Sequence, residues 1–142
     1  TIHSTGFLID YYNQYNNRNL LRLSLAYSNS KIKSNLFEFL PNSPKLLAIL
    51  KYGFNINNNI LVGFESKYTS SVLSENNIKI KDYILSNLTV SYYLSNNTYF
   101  TLHIQNLFNT KYYHIISYPN NFPIYSYPGK KRNLYLVINY SF

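Results

Sequence analysis

The sequence predicts an all-β fold: an antiparallel up-and-down sheet of about seven strands, forming a segment of a transmembrane β-barrel. Three observations predict it. Seven stretches alternate apolar residues with period two, the signature of a strand with two unlike faces. Every charge inside those stretches falls on the face opposite the apolar residues. The connections between them alternate short and long along the whole chain, as in membrane barrels with tight turns at one end and long loops at the other.

The first segment spans about 6–15, with Phe7, Ile9 and Tyr11 on one face. The second, about 20–29, carries Leu21, Leu23, Leu25 and Tyr27. The third, about 46–56, carries Leu46, Ala48, Leu50, Tyr52, Phe54 and Ile56. The fourth, about 60–69, has Ile60, Val62, Phe64 and Tyr68, and the fifth, about 83–94, has Ile84, Leu88, Val90, Tyr92 and Leu94. The sixth, about 98–107, has Phe100, Leu102 and Ile104. The last follows Arg132 and runs to Phe142, with Leu134, Leu136, Ile138, Tyr140 and Phe142 in alternation. Its length is that of a tilted strand crossing a membrane.

Asp10, Arg22, Lys51, Glu65 and Lys67 are the charges within these segments, and all five lie on the second face, with His103 and Gln105. Both a half-buried sheet and a lipid-facing barrel require this split. The loops separate those alternatives. The gaps Asn16-Asn17-Arg18-Asn19, Asn57-Asn58-Asn59 and Ser95-Asn96-Asn97 are short and rich in Asn, which tolerates the left-handed backbone of tight hairpins. The gaps at about 30–45, 70–82 and 108–131 are long. A meander then collects all short turns at one end, which a soluble sandwich has no reason to do. Aromatics such as Phe7, Tyr27, Phe54, Tyr68, Tyr92, Phe100 and Tyr140 stand near strand ends with aliphatics between them, the pattern of an interfacial girdle; Phe64, in mid-strand, departs from it.

Composition bounds the chemistry. The 142 residues hold no cysteine, so disulfides and sulfur-ligated metals are excluded. No apolar run approaches the length of a transmembrane helix. Strand-favouring aromatics make up 18% of the chain, with 17 Tyr and 9 Phe. The net charge of +8 fits either an AT-rich coding bias toward lysine or a surface that meets anions. The chain starts on Thr1 and shows no signal peptide, and the expectation is a processed chain or part of a longer one. Seven strands are too few and odd in number for a closed bacterial barrel, and an open sheet in lipid leaves two costly edges; either a further strand escapes the pattern or the chain is the last part of a larger barrel, and the start on Thr1 favours the second expectation.

No catalytic residue is assigned: His103 is the only strand histidine, and Glu65 and Asp10 lie strands away from it. No metal or cofactor site is assigned either, because His3, His103 and His114 share no ligand spacing. Nucleic acid is not an expected partner, since the aromatics lie on the face opposite the strand charges.

At Gln105-Asn106-Leu107-Phe108-Asn109-Thr110-Lys111-Tyr112 a motif appears that resembles the NLF-(D/N)-x-x-Y element of TonB-dependent outer-membrane receptors. In that family a long loop follows, then a YPxPGR-like segment and a final strand ending in Phe. Here Tyr127-Pro128-Gly129-Lys130-Lys131-Arg132 and the terminal Phe142 stand in the same order. The matching positions are Asn106, Leu107, Phe108, Tyr112, Tyr127, Pro128, Gly129 and Arg132. More weakly, Pro44-Lys45 is similar to an element that opens a strand, and Gly6 to a glycine that opens the first segment. Lys130 and Lys131 interrupt the usual Gly-Arg step, and Asp10 stands where many relatives carry a Glu.

The resemblance implies that residues 1–142 are the C-terminal part of a 22-stranded barrel, without the plug domain and TonB box. It implies location in the bacterial outer membrane and a role as barrel wall, outer loops and closing strand of an importer for a scarce nutrient, with a ferric siderophore as the commonest ligand class. Coupling to TonB would run only through the missing plug. It implies that Leu134, Leu136, Ile138, Tyr140 and Phe142 form the signal read by the barrel-assembly machinery, for which a free strand edge supplies backbone groups. Tyr113, His114, Tyr118 and Tyr125 form a possible ligand loop. The loop lysines are expected to face lipopolysaccharide phosphates or an anionic ligand, or simply water. Two other readings are a small structural barrel or non-transporting receptor remnant, and a soluble Tyr/Asn-rich β-domain that binds surfaces.

Overall fold

The computed structural model of the chain describes residues 2–15, 19–32, 40–74, 78–116 and 125–141, with only the backbone of 115, 116 and 125. The predicted residues Tyr118 and Phe142, and most of the 16–19 turn, lie outside them. The strands are β1 (Ile2–Tyr15), β2 (Asn19–Ile32), β3 (Leu46–Asn55), β4 (Ile60–Thr69), β5 (Val72–Leu73), β6 (Lys79–Ile80), β7 (Tyr83–Ser95), β8 (Thr98–Gln105), β9 (Tyr113–Ile116), β10 (Tyr125–Pro128) and β11 (Asn133–Tyr140). Seven of them form one antiparallel sheet in the order β1-β2-β3-β4-β7-β8-β11, a meander without crossovers. The other four make two small hairpins, β5-β6 and β9-β10, inside the long connections.

The register joins like with like. One face carries rows such as Tyr11–Leu23–Leu50 and Val62–Val90–Leu102–Leu136. The other carries Arg22–Lys51–Glu65–Asn87 and Thr89–His103–Tyr135. The five charges predicted within the strands fall on this second face, whereas Lys31, in the end of β2 beyond the predicted segment, is in line with the apolar row. A slip of one residue anywhere would turn a strand's leucines to the wrong side, so the alternation itself sets the register.

Among the described residues Ile80 is the only buried hydrophobic side chain. Leu23, Leu136 and Ile138 stay 43%, 61% and 64% exposed although they lie on the wall's apolar side. A soluble domain of this length hides its apolar surface in a core. A wall of a barrel does not need one, because lipid covers the outside. The apolar face therefore faces lipid and the charged face the lumen.

The structure corrects four expectations. Gly6 does not open a strand; it sits inside β1 opposite Ser28, where a Cβ would run into the carbonyl oxygen of Tyr27. The β1-β2 hairpin overshoots its predicted outer end and takes in His3 and Lys31. Phe64 is not isolated: it pairs with Tyr52, which stacks on Phe54 at 5.5 Å, so it belongs to the aromatic belt near the short turns. Finally, the asparagines of the described short turns are not left-handed. Positive φ among the non-glycine residues described occurs at Asn42, Asn106 and Asn109, all at the end of the long connections. At the 56–59 turn an asparagine works through its side chain instead: Asn57 Oδ1 accepts from the Asn59 amide at 2.9 Å, and Ile56 N donates to Ile60 O at 2.9 Å.

Candidate functional site

The three long connections meet at one end of the wall, and a backbone bond ties the first two together. Asn42 N donates to Leu73 O at 2.9 Å, which joins the first connection to the β5-β6 hairpin. Leu46 N donates to Ser70 Oγ at 3.0 Å, and Ser70 N to Leu46 O at 3.0 Å. Within β5-β6, Ser74 is fully buried and bonds Ile78 through both backbone and hydroxyl, each at 3.0 Å.

The third connection is closed by Asn106. This residue is 5% exposed, has φ 50, and makes five hydrogen bonds, one of them from Asn109 N to its carbonyl at 2.8 Å. Its Nδ2 donates to the carbonyls of Thr110 and Lys130 at 2.9 and 3.0 Å; its Oδ1 accepts from Thr110 N at 2.8 Å. Its own amide donates to Asn87 Oδ1 at 3.1 Å. One side chain thus clasps the exit of β8 to the entrance of β11. Asn109, at φ 53, adds a second stitch by accepting from Arg132 N at 3.0 Å. An amide side chain in a left-handed turn is what this geometry needs, since it offers both donors and an acceptor at low backbone cost.

The other motif residues support the same clasp. Leu107 N donates to Ser86 O at 2.7 Å, while Phe108 is exposed. Tyr112 lies over Gly129, where any Cβ would collide with its ring, and its carbonyl accepts from Gly129 N at 2.8 Å. Pro128 ends β10 opposite Tyr113. From this base an aromatic ladder climbs the hairpin: Tyr83 against Tyr112 at 5.1 Å, Tyr112 edge-on to His114 at 5.1 Å, and His114 stacked on Tyr127 at 5.0 Å.

A cavity of about 310 Å³ opens beside the ladder. All three long connections line it, through Asn42, Ser70, Val72, Tyr113 and His114, together with Lys67 and Tyr83 from the lumen face of the wall. The ion pairs of the described residues, Asp10–Arg22 and Lys51–Glu65, each 2.7 Å, lie further down the wall. Lys67, which lines the cavity, has no ion-pair partner among the described residues and gives the site a positive charge. The site offers a cation, phenol and hydroxyl donors, and flat rings. Among the described residues no three His, Asp or Glu side chains cluster to hold a bare metal ion.

Of the predicted ligand loop, Tyr113 and His114 reach this cavity, while Tyr125 pairs through its backbone with Ile116. Lys67, Tyr83 and Asn42 escaped the sequence reading. The β5-β6 hairpin escaped it too, although Val72-Leu73 and Lys79-Ile80 flank a polar run in the manner of a short turn. In β11, Leu134, Leu136, Ile138 and Tyr140 all lie exposed on the lipid face.

A meander with one apolar face, one ionic face, tight turns at one end and built loops at the other has the architecture of a transmembrane β-barrel wall. Solved structures bear this out. The chain is similar to the siderophore receptor PiuA from Acinetobacter baumannii, with TM-score 0.85 and 18% identity over 98% of this chain and 22% of that one. It is similar to the ferric-catecholate import receptor Fiu from Escherichia coli K12, with TM-score 0.86 and 21% identity over 99% of this chain and 21% of that one. For the ferric yersiniabactin uptake receptor FyuA from Yersinia pestis the TM-score is 0.85 and the identity 12%, over 99% and 24% of the two chains. The chain therefore spans about a fifth to a quarter of the length of these structures. No protein-family model matches the sequence, and no curated protein matches it.

Proposed function

We propose that this chain is the C-terminal wall of a TonB-dependent outer-membrane receptor, with its outer loops and closing strand, and that the complete protein imports a scarce nutrient as a ferric chelate. The observation that carries this reading is the fit of nearly the whole chain to siderophore-receptor walls at TM-scores of 0.85 and 0.86. The mouth cavity supports it. Lys67 there draws an anionic chelate toward the pore, and Tyr83, Tyr113 and His114 present rings and polar donors to it. The energy for import enters through TonB and a plug, both outside residues 1–142. Leu134, Leu136, Ile138 and Tyr140, on the apolar face of β11, serve with Phe142 as the segment that the barrel-assembly machinery recognises, with the edge of β11 open to strand addition.

Gel mobility of the native protein, with and without heating, tests the barrel. An outer-membrane band of roughly 70–90 kDa that shifts on heating is expected; a soluble band near the chain's own 16.7 kDa would overturn the reading. Uptake tests the ligand. Tyr113→Ala with His114→Ala should weaken binding of a ferric chelate by about tenfold without loss of the heat-shifted form. Unchanged uptake of every ferric chelate tried would remove the mouth cavity from the ligand path.

A further inference from the structure

Lys31 lies in the lipid-facing row of β2, directly opposite His3 of β1. Hydrocarbon cannot solvate a charge, so a lysine in that row needs a reason. Its height supplies part of one. β2 pairs with β3 only as far as Tyr27, and Lys31 lies beyond that point by about 13 Å along the strand. At a strand tilt of about 40° this is roughly 10 Å above the rings of Phe7 and Tyr27. Those rings stack at 5.6 Å and mark the edge of the hydrocarbon, where the headgroup layer begins. Thr5 and Asn29, opposite each other, fill the step between rings and cation with polar groups. Lys31 has no ion-pair partner among the described residues.

Lower on the same face the wall is hollow. The row Ile9–Leu25–Ala48–Tyr68–Ile84 dips at Ala48, and the row Leu23–Leu50–Ser66–Ser86 dips at Ser66. Together they open a groove of about 430 Å³. The hydroxyls of Ser66 and Ser86 bond each other at 3.0 Å, so neither is left without a partner against hydrocarbon. On the far side Tyr68 Oη donates to Asp82 at 3.4 Å, which places a negative charge beyond that edge of the groove. An anionic head is therefore turned toward Lys31 and His3. A soluble anion has no use for the groove, and a bare hydrocarbon has no use for the cation. Cation, polar step, rings and groove follow the order of a lipid's phosphate, linkage, interface and acyl chain.

We propose that the outer face of β1 to β4 holds one phosphorylated lipid of the outer leaflet, its phosphate at Lys31 and His3 and an acyl chain in the groove over Ala48 and Ser66. The site rests on the barrel and its place in the membrane, and not on what the barrel transports.

The test mixes the full-length native protein, purified in a non-ionic detergent, with lipid extracted from its own outer membrane, and reads the complex by native mass spectrometry. One lipid per barrel should stay bound. Lys31→Glu, at an exposed strand end, should lower that occupancy about tenfold, and so should stripping the lipid's phosphates with a phosphatase. Ala48→Phe, which fills the groove, should do the same while the heat-shifted barrel persists. If that variant fails to assemble, Ala48→Leu takes its place with a smaller drop expected. Occupancy that responds to the lysine alone, to the groove alone or to neither overturns the proposal. Displacement by inorganic phosphate also overturns it, by reducing the site to a surface cation. So does a dimer that Ala48→Phe dissociates, which would put a second copy of the chain in the groove. Absence of any heat-shifted form in the unsubstituted protein overturns the barrel and the site together, whereas a barrel that holds the lipid and imports no ferric chelate overturns the transport reading alone.

Discussion

Leu50 and Lys51 are neighbours in β3, yet they live under different rules. Leu50 lies in the apolar row with Leu23, among side chains that differ in shape and share only their lack of charge. Lys51 lies between Arg22 and Glu65, where each partner matters. Two cations directly opposite one another destabilise a sheet. Here Asp10 takes up Arg22 at 2.7 Å and Glu65 takes up Lys51 at 2.7 Å, so the like pair is flanked by its counter-charges. The lipid face is a requirement on polarity, tolerant of identity. The lumen face is a set of individual contacts, tolerant of polarity. That difference follows from the solvent on each side: lipid cannot solvate a charge, and a wet lumen can.

The sharpest way to break the comparison is a charge on the wrong side. Leu50→Arg should destabilise the folded barrel by about 2–4 kcal/mol, read by denaturant titration in lipid vesicles, whereas Thr89→Lys on the lumen face should cost far less. Equal costs would mean that the two faces have been assigned wrongly.

A smaller effect is expected at the clasp, which belongs to neither face. Asn106→Ala removes three side-chain hydrogen bonds from a nearly buried site and should cost about 2–3 kcal/mol. Its signature is local: proteolysis between 113 and 128 should accelerate while the heat-shifted barrel remains. Gly129→Ala should act in the same direction by pushing Tyr112 off its seat.

The smallest effect belongs to the lumen ion pair. Both partners are more than a third exposed, so Lys51→Ala should change stability by less than about 1 kcal/mol in the same titration. A loss comparable to that of Leu50→Arg would show that the lumen wall is far drier than its exposure implies.

Much of this was legible in the sequence. Alternation alone placed the seven wall strands, and β4 falls at Ile60–Thr69 as the pattern predicts. Charge placement alone identified the lumen face. The Asn106-Leu107-Phe108 and Tyr127-Pro128-Gly129 motifs marked the last long connection, but their spacing could not show that they form one clasp. Asn106 bonds Lys130 across a gap of 24 residues, and no local periodicity encodes that.

The sequence by itself determined which residues share a face, because a strand turns its side chains by a period of two and lipid tolerates no charge. It also determined where the chain turns, since runs of Asn and Ser interrupt the alternation. Only the tertiary structure decided what meets across strands: the Gly53–Gly63 pair, the row of Arg22, Lys51 and Glu65, and the cavity where Lys67, Tyr83 and His114 converge. Those depend on register and on how three distant loops fold over one end. Both are set by hydrogen bonds between residues far apart in the chain, which no window along the sequence contains.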